Sequence, residues 1–407
     1  MSDSTKSRRG VGTVLPVVAV AVALSGLPAF APVASASPDP IGGGTTTVTL
    51  NSGFVRALKK HRVKLLALSP ATLEGRVASF PVTGGSVDPL NGQGTVSQSG
   101  GLVLRSGRKS IALTNLVLDT TANALSATLG KSTSTFAATA GVSSARNGFG
   151  VNIGVEKLQL TAAAAKELNR ALAPRGKKKG KGPKRASASK KRSSKRIFKA
   201  NQVLGSALSS PQPSTLTIVP GANATLTTNS ATVAKLVKDK VEIAPIAPSS
   251  LISVGPPPAY AFPIGGLTIT PTATAGLIQT AGGLKLSQVL IPGEAETTLT
   301  LGAIYVDLAT KTATAQITVE SKGSGPSLGS LGRSSIADVN FSAATVTANP
   351  AARTVSVQNA TATLQVVTAE VLNSIFATPY EAFTGTPAER FAGGDPLGTF
   401  SFTAQTQ

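Results

Sequence analysis

The chain has 407 residues, with no cysteine, no tryptophan, a single histidine and a formal charge of +21 from 39 basic and 18 acidic side chains. That inventory excludes disulfide scaffolds, a lipid anchor through an N-terminal cysteine and thiolate zinc sites, and it leaves a histidine-based triad only His61 to use. Hydrophobic residues make up 41% of the chain but aromatics only 4%, so its cores must be Val, Leu, Ile and Ala, in short strands punctuated by Gly and Pro.

Residues 1–36 read as a secretory signal peptide. Lys6, Arg8 and Arg9 precede an apolar run at 11–24, and Ala34-Ser35-Ala36 has the small-x-small form of a cleavage site, so the mature chain is expected to start at Ser37, secreted or at the cell envelope. The run is short for a membrane span, and no second run of about 18 apolar residues follows it, so no transmembrane span is expected in the mature chain. Residues 37–44, with Pro38, Pro40 and three glycines, read as a flexible lead-in. Thr45 to Leu50 alternates as a strand does, and Asn51-Ser52 is placed to cap a helix over 53–60. Residues 80–104 read as strand, turn, strand, and 113–129 as a hairpin turning at 120–123. A strand is expected at 152–159. Thr161 then caps the strongest helix, 162–172, and 203–208 is a closing strand with an extra strand candidate at 216–219.

The series then repeats. Phe80-Pro81, Gly94, Gly100-Gly101 and Leu104 return as Phe262-Pro263, Gly276, Gly282-Gly283 and Leu286, all displaced by 182 residues. Asn229-Ser230 restates Asn51-Ser52, and the hairpin returns over 301–317 with Asp307 answering Asp119. Thr368 is expected to cap the counterpart helix over 370–377, and Phe391 and Leu397-Gly398 answer Phe198 and Leu204-Gly205. The halves are thus expected at 45–219 and 220–407. The predicted fold is mainly β: two tandem antiparallel β-sandwich (Ig-like) domains, each with two short helices.

One segment departs from the repeat. Residues 175–199 carry thirteen basic residues and no acid: Arg175, Lys177, Lys178, Lys179, Lys181, Lys184, Arg185, Lys190, Lys191, Arg192, Lys195, Arg196 and Lys199. The match of Phe198 to Phe391 places this tract inside the first half, as a loop over 173–199. Like charges repel and Gly, Pro and Ser resist ordering, so the loop is expected to be disordered when free. Its charge suits anionic envelope polymers, lipid head groups or non-specific DNA. With no aromatic before Phe198, base stacking and sequence-specific readout are not expected.

At these residues the chain resembles the HtaA domain family of actinobacterial surface proteins, in two copies. The first supplies Phe54, Phe80-Pro81, Asp88, Gly94, Gly101, Leu113, Leu116 and Leu160-Thr161-Ala162, and the second Phe262-Pro263, Gly276, Gly283, Asp307, Phe376 and 391–397. The resemblance spans nearly the whole mature chain and implies a β-sandwich exposed outside the cell. In haem-uptake members a Tyr near the first helix ligates iron, backed by a His after the Gly-led strand. This chain has Phe54 and Leu58, or Val233 and Leu236, at the first place, and Ser106-Gly107-Arg108, or Ser287-Gln288, at the second.

No catalytic residue is assigned. His61 sits in a Lys-Lys-His-Arg cluster with no carboxylate near it in sequence, and Glu294 and Glu296 read as one face of an exposed strand. Calcium and zinc lack a ligand cluster. The expectation is a secreted, non-enzymatic envelope binding or structural protein held by its basic loop. The alternative is a haem-binding protein whose candidate ligands are the three tyrosines, Tyr260, Tyr305 and Tyr380.

Overall fold

The computed structural model describes residues 38–172, 196–292, 294–323, 327–376 and 390–407. The expected signal peptide and Ser37, the tract from Arg175 to Lys195, and Tyr380 lie outside them.

The first half comprises β1 (Asp39–Leu50), α1 (Ser52–Lys60), β2 (Val63–Leu68), β3 (Thr72–Glu74), β4 (Val77–Val87), β5 (Gly94–Ser106), β6 (Lys109–Asp119), β7 (Ala124–Leu129), β8 (Ser132–Asn147), β9 (Gly150–Leu160), α2 (Ala162–Leu172) and β10 (Val203–Pro213). Its strands pair antiparallel in the order β5-β6-β7-β8-β9-β10-β1-β4, and β4 pairs back onto β5. That closes a ring of eight, with β2 and β3 attached at the rim.

The second half comprises β11 (Leu216–Thr217), β12 (Asn223–Thr228), α3 (Ser230–Lys238), β13 (Val241–Ile246), β14 (Ser250–Ser253), β15 (Ala259–Ile269), β16 (Gly276–Thr280), β17 (Gly283–Ile291), β18 (Ala295–Asp307), β19 (Thr312–Gly323), β20 (Gly329–Asn340), β21 (Thr345–Asn349), β22 (Thr354–Leu364), α4 (Val366–Ile375) and β23 (Pro396–Gln405). Here the ring runs β12-β15-β16-β18-β19-β20-β22-β23 and returns to β12.

Each half is therefore a closed barrel rather than the pair of facing sheets that the sequence pattern suggested. Alternating buried and exposed residues describe one wall of either architecture; only the pairing of β4 with β5, or of β15 with β16, removes the open edges. The barrel interior is aliphatic, as composition required, with Ala78, Val96, Ala127 and Ile153 fully buried in the first barrel and Ile278, Ala315, Val319 and Val355 in the second.

The repeated glycines mark where the barrel turns a corner. β5 pairs with β4 from Gly94 to Gln98, then with β2 from Gly101 to Ser106. Gly100, at φ 80°, lies at the change of partner, and a Cβ there would run into the Ala71 backbone. Gly282, at φ 79°, does the same against Ile246 and Ser249, where the strand is split into β16 and β17. A side chain at either position would clash and hold a left-handed backbone. The constant spacing of these glycines in the two copies is the length of strand between two corners.

Three boundaries differ from expectation. Residues 39–44 are not a free lead-in: Asp39 and Pro40 pair with Val87 and Ser86, and Ile41, Gly43 and Gly44 pair with Pro213, Gln212 and Pro211, through an irregularity between Ile41 and Gly43 that accommodates the glycines. The chain changes sheets between Pro213 and Leu216, not at 219–220, since β11 pairs with β15 of the second barrel. Helix α4 starts at Val366 with Gln365 as its cap, and Thr368 lies inside it, its hydroxyl donating to Ser335 O at 3.1 Å. The two helices share a buried face, Ala164, Ala165, Leu168 and Leu172 in α2 and Thr368, Ala369, Leu372 and Ile375 in α4, so Thr368 answers Ala164 and not the cap Thr161.

The barrels touch through the β8–β9 turn and the start of β1. Phe149 is 6% exposed and packs within the second barrel's core. Thr217 donates to Asp39 Oδ1 at 2.8 Å, and Ser214 N–H donates to Pro40 O at 2.8 Å. Burial pushes the Asp39 carboxyl above its usual range, against the lowering effect of Thr217 and Arg146.

Candidate functional site

Charge divides unevenly between the barrels. Residues 38–172 carry fourteen basic and six acidic side chains, and residues 200–407 carry nine basic and eleven acidic. Eight of those fourteen fall on three adjoining elements: Arg56, Lys59 and Lys60 on α1, Arg62 and Lys64 at the entry to β2, and Arg105, Arg108 and Lys109 at the β5–β6 turn. Seven are exposed and Lys109 is half-buried.

The fold brings these segments together in a specific way. Asn51 Oδ1 accepts the N–H groups of Gly53 and Phe54, which fixes the start of α1, and Phe54 and Leu58 bury one face of the helix. The opposite face and the C-terminal turn present Arg56, Lys59 and Lys60 to solvent, where the negative end of the helix dipole favours cations. The chain then runs directly into β2, which pairs with β5 so that Val63 faces Ser106 and Lys64 faces Arg105. Residues 105–109 were remote from 56–64 in sequence and are their lateral neighbours in space.

Two exposed cations directly opposite on paired strands repel each other. The six acids of residues 38–172 belong to other places: Asp39 in β1, Glu74 in β3, Asp88 after β4, Asp119 at the far end of β6, Glu156 in β9 and Glu167 in α2. The second barrel shows that the architecture does not need the charges. At the positions equivalent to Arg56, Lys59, His61, Lys64, Arg105, Arg108 and Lys109 it carries Ala234, Val237, Asp239, Glu242, Ser287, Leu290 and Ile291, while Lys238 and Lys240 keep the charge of Lys60 and Arg62. Converting Lys64 to its counterpart, Lys64→Glu, is expected to stabilise the first barrel by about 0.5 kcal/mol, because an attractive cross-strand pair replaces a repulsive one. Urea unfolding midpoints check this, and a fall in the midpoint would contradict it.

The basic tract is rooted at this same end. Asn169 of α2 accepts the N–H groups of Ile197 (2.8 Å) and Phe198 (3.1 Å) on its Oδ1 and donates to Phe198 O at 2.8 Å. Phe198 is 1% exposed, and its ring centroid lies 6.4 Å from that of Phe54 in α1. The returning chain is thereby pinned beside α1, with Arg196 and Lys199 exposed on either side of the buried phenylalanine. Asn373 repeats the device on Arg390 and Phe391, at 3.2, 3.0 and 2.8 Å. These two asparagines went unread in the sequence, because their partners are backbone groups and their type is common in helix-flanking positions.

The second barrel closes the equivalent end with a buried polar network. Arg390 Nη1 pairs with Asp239 at 3.2 Å, Arg390 Nη2 donates to Phe376 O at 2.6 Å, and Gln288, 2% exposed, donates to Asp239 O at 2.7 Å. Gln288 stands where Ser106 stands in the first barrel.

The other sequence candidates are dispersed. Tyr260 is 2% exposed inside the second barrel, its hydroxyl 3.4 Å from Ile243 O, and burial raises its pKa, with the Glu242 charge adding to it. Tyr305 is half-buried on β18, with the Arg333 guanidinium 3.7 Å above its ring. His61 is the half-buried C-cap of α1. Glu296 pairs with Lys322 at 3.1 Å on β18, whereas Glu294 lies in the preceding turn, so the two do not share a strand face. Asp119 and Asp307 act as the turn pattern predicts, Asp119 accepting the N–H of Ala122 and Asp307 those of Ala309 and Thr310 in their hairpin turns. Among the described residues no group of three or more His, Asp or Glu gathers, and no helix is long and apolar enough to cross a membrane.

No family model matches the chain, and no curated protein does. Among solved structures it is similar to the C-terminal domain of HtaA from Corynebacterium glutamicum, at 15% identity and a TM-score of 0.32, covering 47% of this chain and 99% of that one. The N-terminal domain of the same protein is similar at 14% identity and a TM-score of 0.31, covering 46% and 99%. The structural neighbours are thus domains of the family that the sequence resembles.

Proposed function

We propose that the protein is a secreted, non-enzymatic binding module of the cell envelope, and that it attaches to phosphate-rich anionic polymer through the basic end of its first barrel together with the tract rooted there. The observation that carries this reading is the juxtaposition of eight basic side chains on α1, β2 and the β5–β6 turn, with no acid on those elements and with six of the eight positions no longer basic in the duplicate barrel. The fixed charges supply a preorganised face, and the tract adds reach. Phosphate contacts of this kind release counterions, so attachment weakens steeply with salt.

Retention on isolated cell envelopes tests it. A variant lacking residues 175–195, which keeps the Asn169 clamp, is expected to wash off at lower salt than the intact chain. Adding Lys59→Gln, Lys60→Gln, Arg62→Gln and Lys64→Gln is expected to abolish retention at physiological ionic strength. Anionic lipid vesicles serve as the second arm: retention on vesicles but not on lipid-free wall polymer would reassign the ligand to lipid head groups. Equal retention of all variants at low salt would overturn the proposal.

A further inference from the structure

The second barrel encloses a cavity of about 150 Å³ beneath α3 and α4, whereas the corresponding space in the first barrel is about 50 Å³. The difference is written in the side chains. Thr232 stands where the first barrel has Phe54, Ile336 where it has Phe136, and Ala313 where it has Leu125. Phe400 in place of Ala207 returns part of the lost volume.

The wall is also chemically specific. Four threonines line the cavity, and each spends its hydroxyl on a backbone carbonyl: Thr228 on Pro258 (2.8 Å), Thr232 on Pro396 (2.5 Å), Thr280 on Ile304 (2.7 Å) and Thr368 on Ser335 (3.1 Å). Their methyl groups remain to complete a lining that is otherwise Leu, Ile, Val, Ala and Phe. A water molecule needs two or more polar partners to settle in such a space, and this one offers none. Dry cavities of this size with aliphatic and aromatic walls admit compact hydrocarbons such as benzene.

We infer that the second barrel is a binding site for a small apolar ligand, a compact hydrocarbon group of about six carbons with no hydrogen-bonding function at its buried end. The site is separate from the basic end of the first barrel and stands independently of the polyanion reading. Thr232 and Thr368 place α3 and α4 in its wall, so occupancy would tighten the two helices against the barrel.

Benzene is the probe. Titrated into the full mature chain, it is expected to bind saturably by calorimetry and to raise the thermal unfolding midpoint of the second barrel. Thr232→Phe, which restores the first barrel's residue, is expected to abolish both effects. Should that variant fail to fold, Ile336→Phe fills the space from the opposite strand and is expected to weaken benzene at least tenfold. Absence of saturable benzene binding to the parent chain, or binding unchanged in a folded filling variant, would overturn the inference.

Discussion

Asn169→Ala is expected to destabilise the first barrel by about 3 kcal/mol, more than most single substitutions away from a core. The side chain serves three backbone groups of Ile197 and Phe198 at once, and removing it strands them beside a phenylalanine that is almost fully buried. Each stranded group costs about 1–3 kcal/mol where water is excluded. Asn169→Asp keeps the acceptor for both N–H groups but turns an acceptor oxygen towards the carbonyls of Ala165 and Phe198, so it is expected to recover only part of that stability. Urea unfolding of the two variants measures the difference. A neutral Asn169→Ala would show that the returning chain is held by Phe198 packing alone.

Asp239→Ala is expected to cost the second barrel about 3–5 kcal/mol. The carboxylate faces Arg390 at 3.2 Å, and the side chains are only 9% and 14% exposed, so its removal leaves a guanidinium with a buried face uncompensated. The double variant Asp239→Ala with Arg390→Met removes both charges and is expected to be more stable than Asp239→Ala alone. A double-mutant cycle by chemical unfolding checks this, and strict additivity would contradict the pair. The first barrel has His61 and Ile197 at these positions and does without the network. One end of the duplicated fold is thus sealed by an internal ion pair and the other is left as an open field of positive charge.

Much of this was legible in the chain because it is local. The caps at Asn51 and Asn229, the turn aspartates Asp119 and Asp307, and helix α2 each depend on residues within a few positions of one another. The repeat was legible because corner glycines tolerate no replacement. Barrel closure was not, since it depends on β4 meeting β5 in a register that alternation alone does not specify. The start of α4 was misplaced because Val-Thr-Ala at 367–369 imitates Leu-Thr-Ala at 160–162, while burial of the apolar face settles the actual phase. The basic end was only half visible. The Lys-Lys-His-Arg cluster stood out, but nothing in the sequence placed Arg105, Arg108 and Lys109 beside it. The tract itself overshadowed both.

The salt dependence of binding to polyphosphate separates the contribution of the folded basic end from that of the tract. Each contact with a single phosphate chain adds about 0.7 to the slope of log affinity against log salt. The chain from Ser37 onward is expected to show a steep slope. A variant with Lys60, Arg62, Lys64 and Arg105 all replaced by Gln is expected to lose about 3 from it, with its tract intact. A slope and affinity unchanged by those four substitutions would contradict the account, because binding would then owe nothing to the folded basic end.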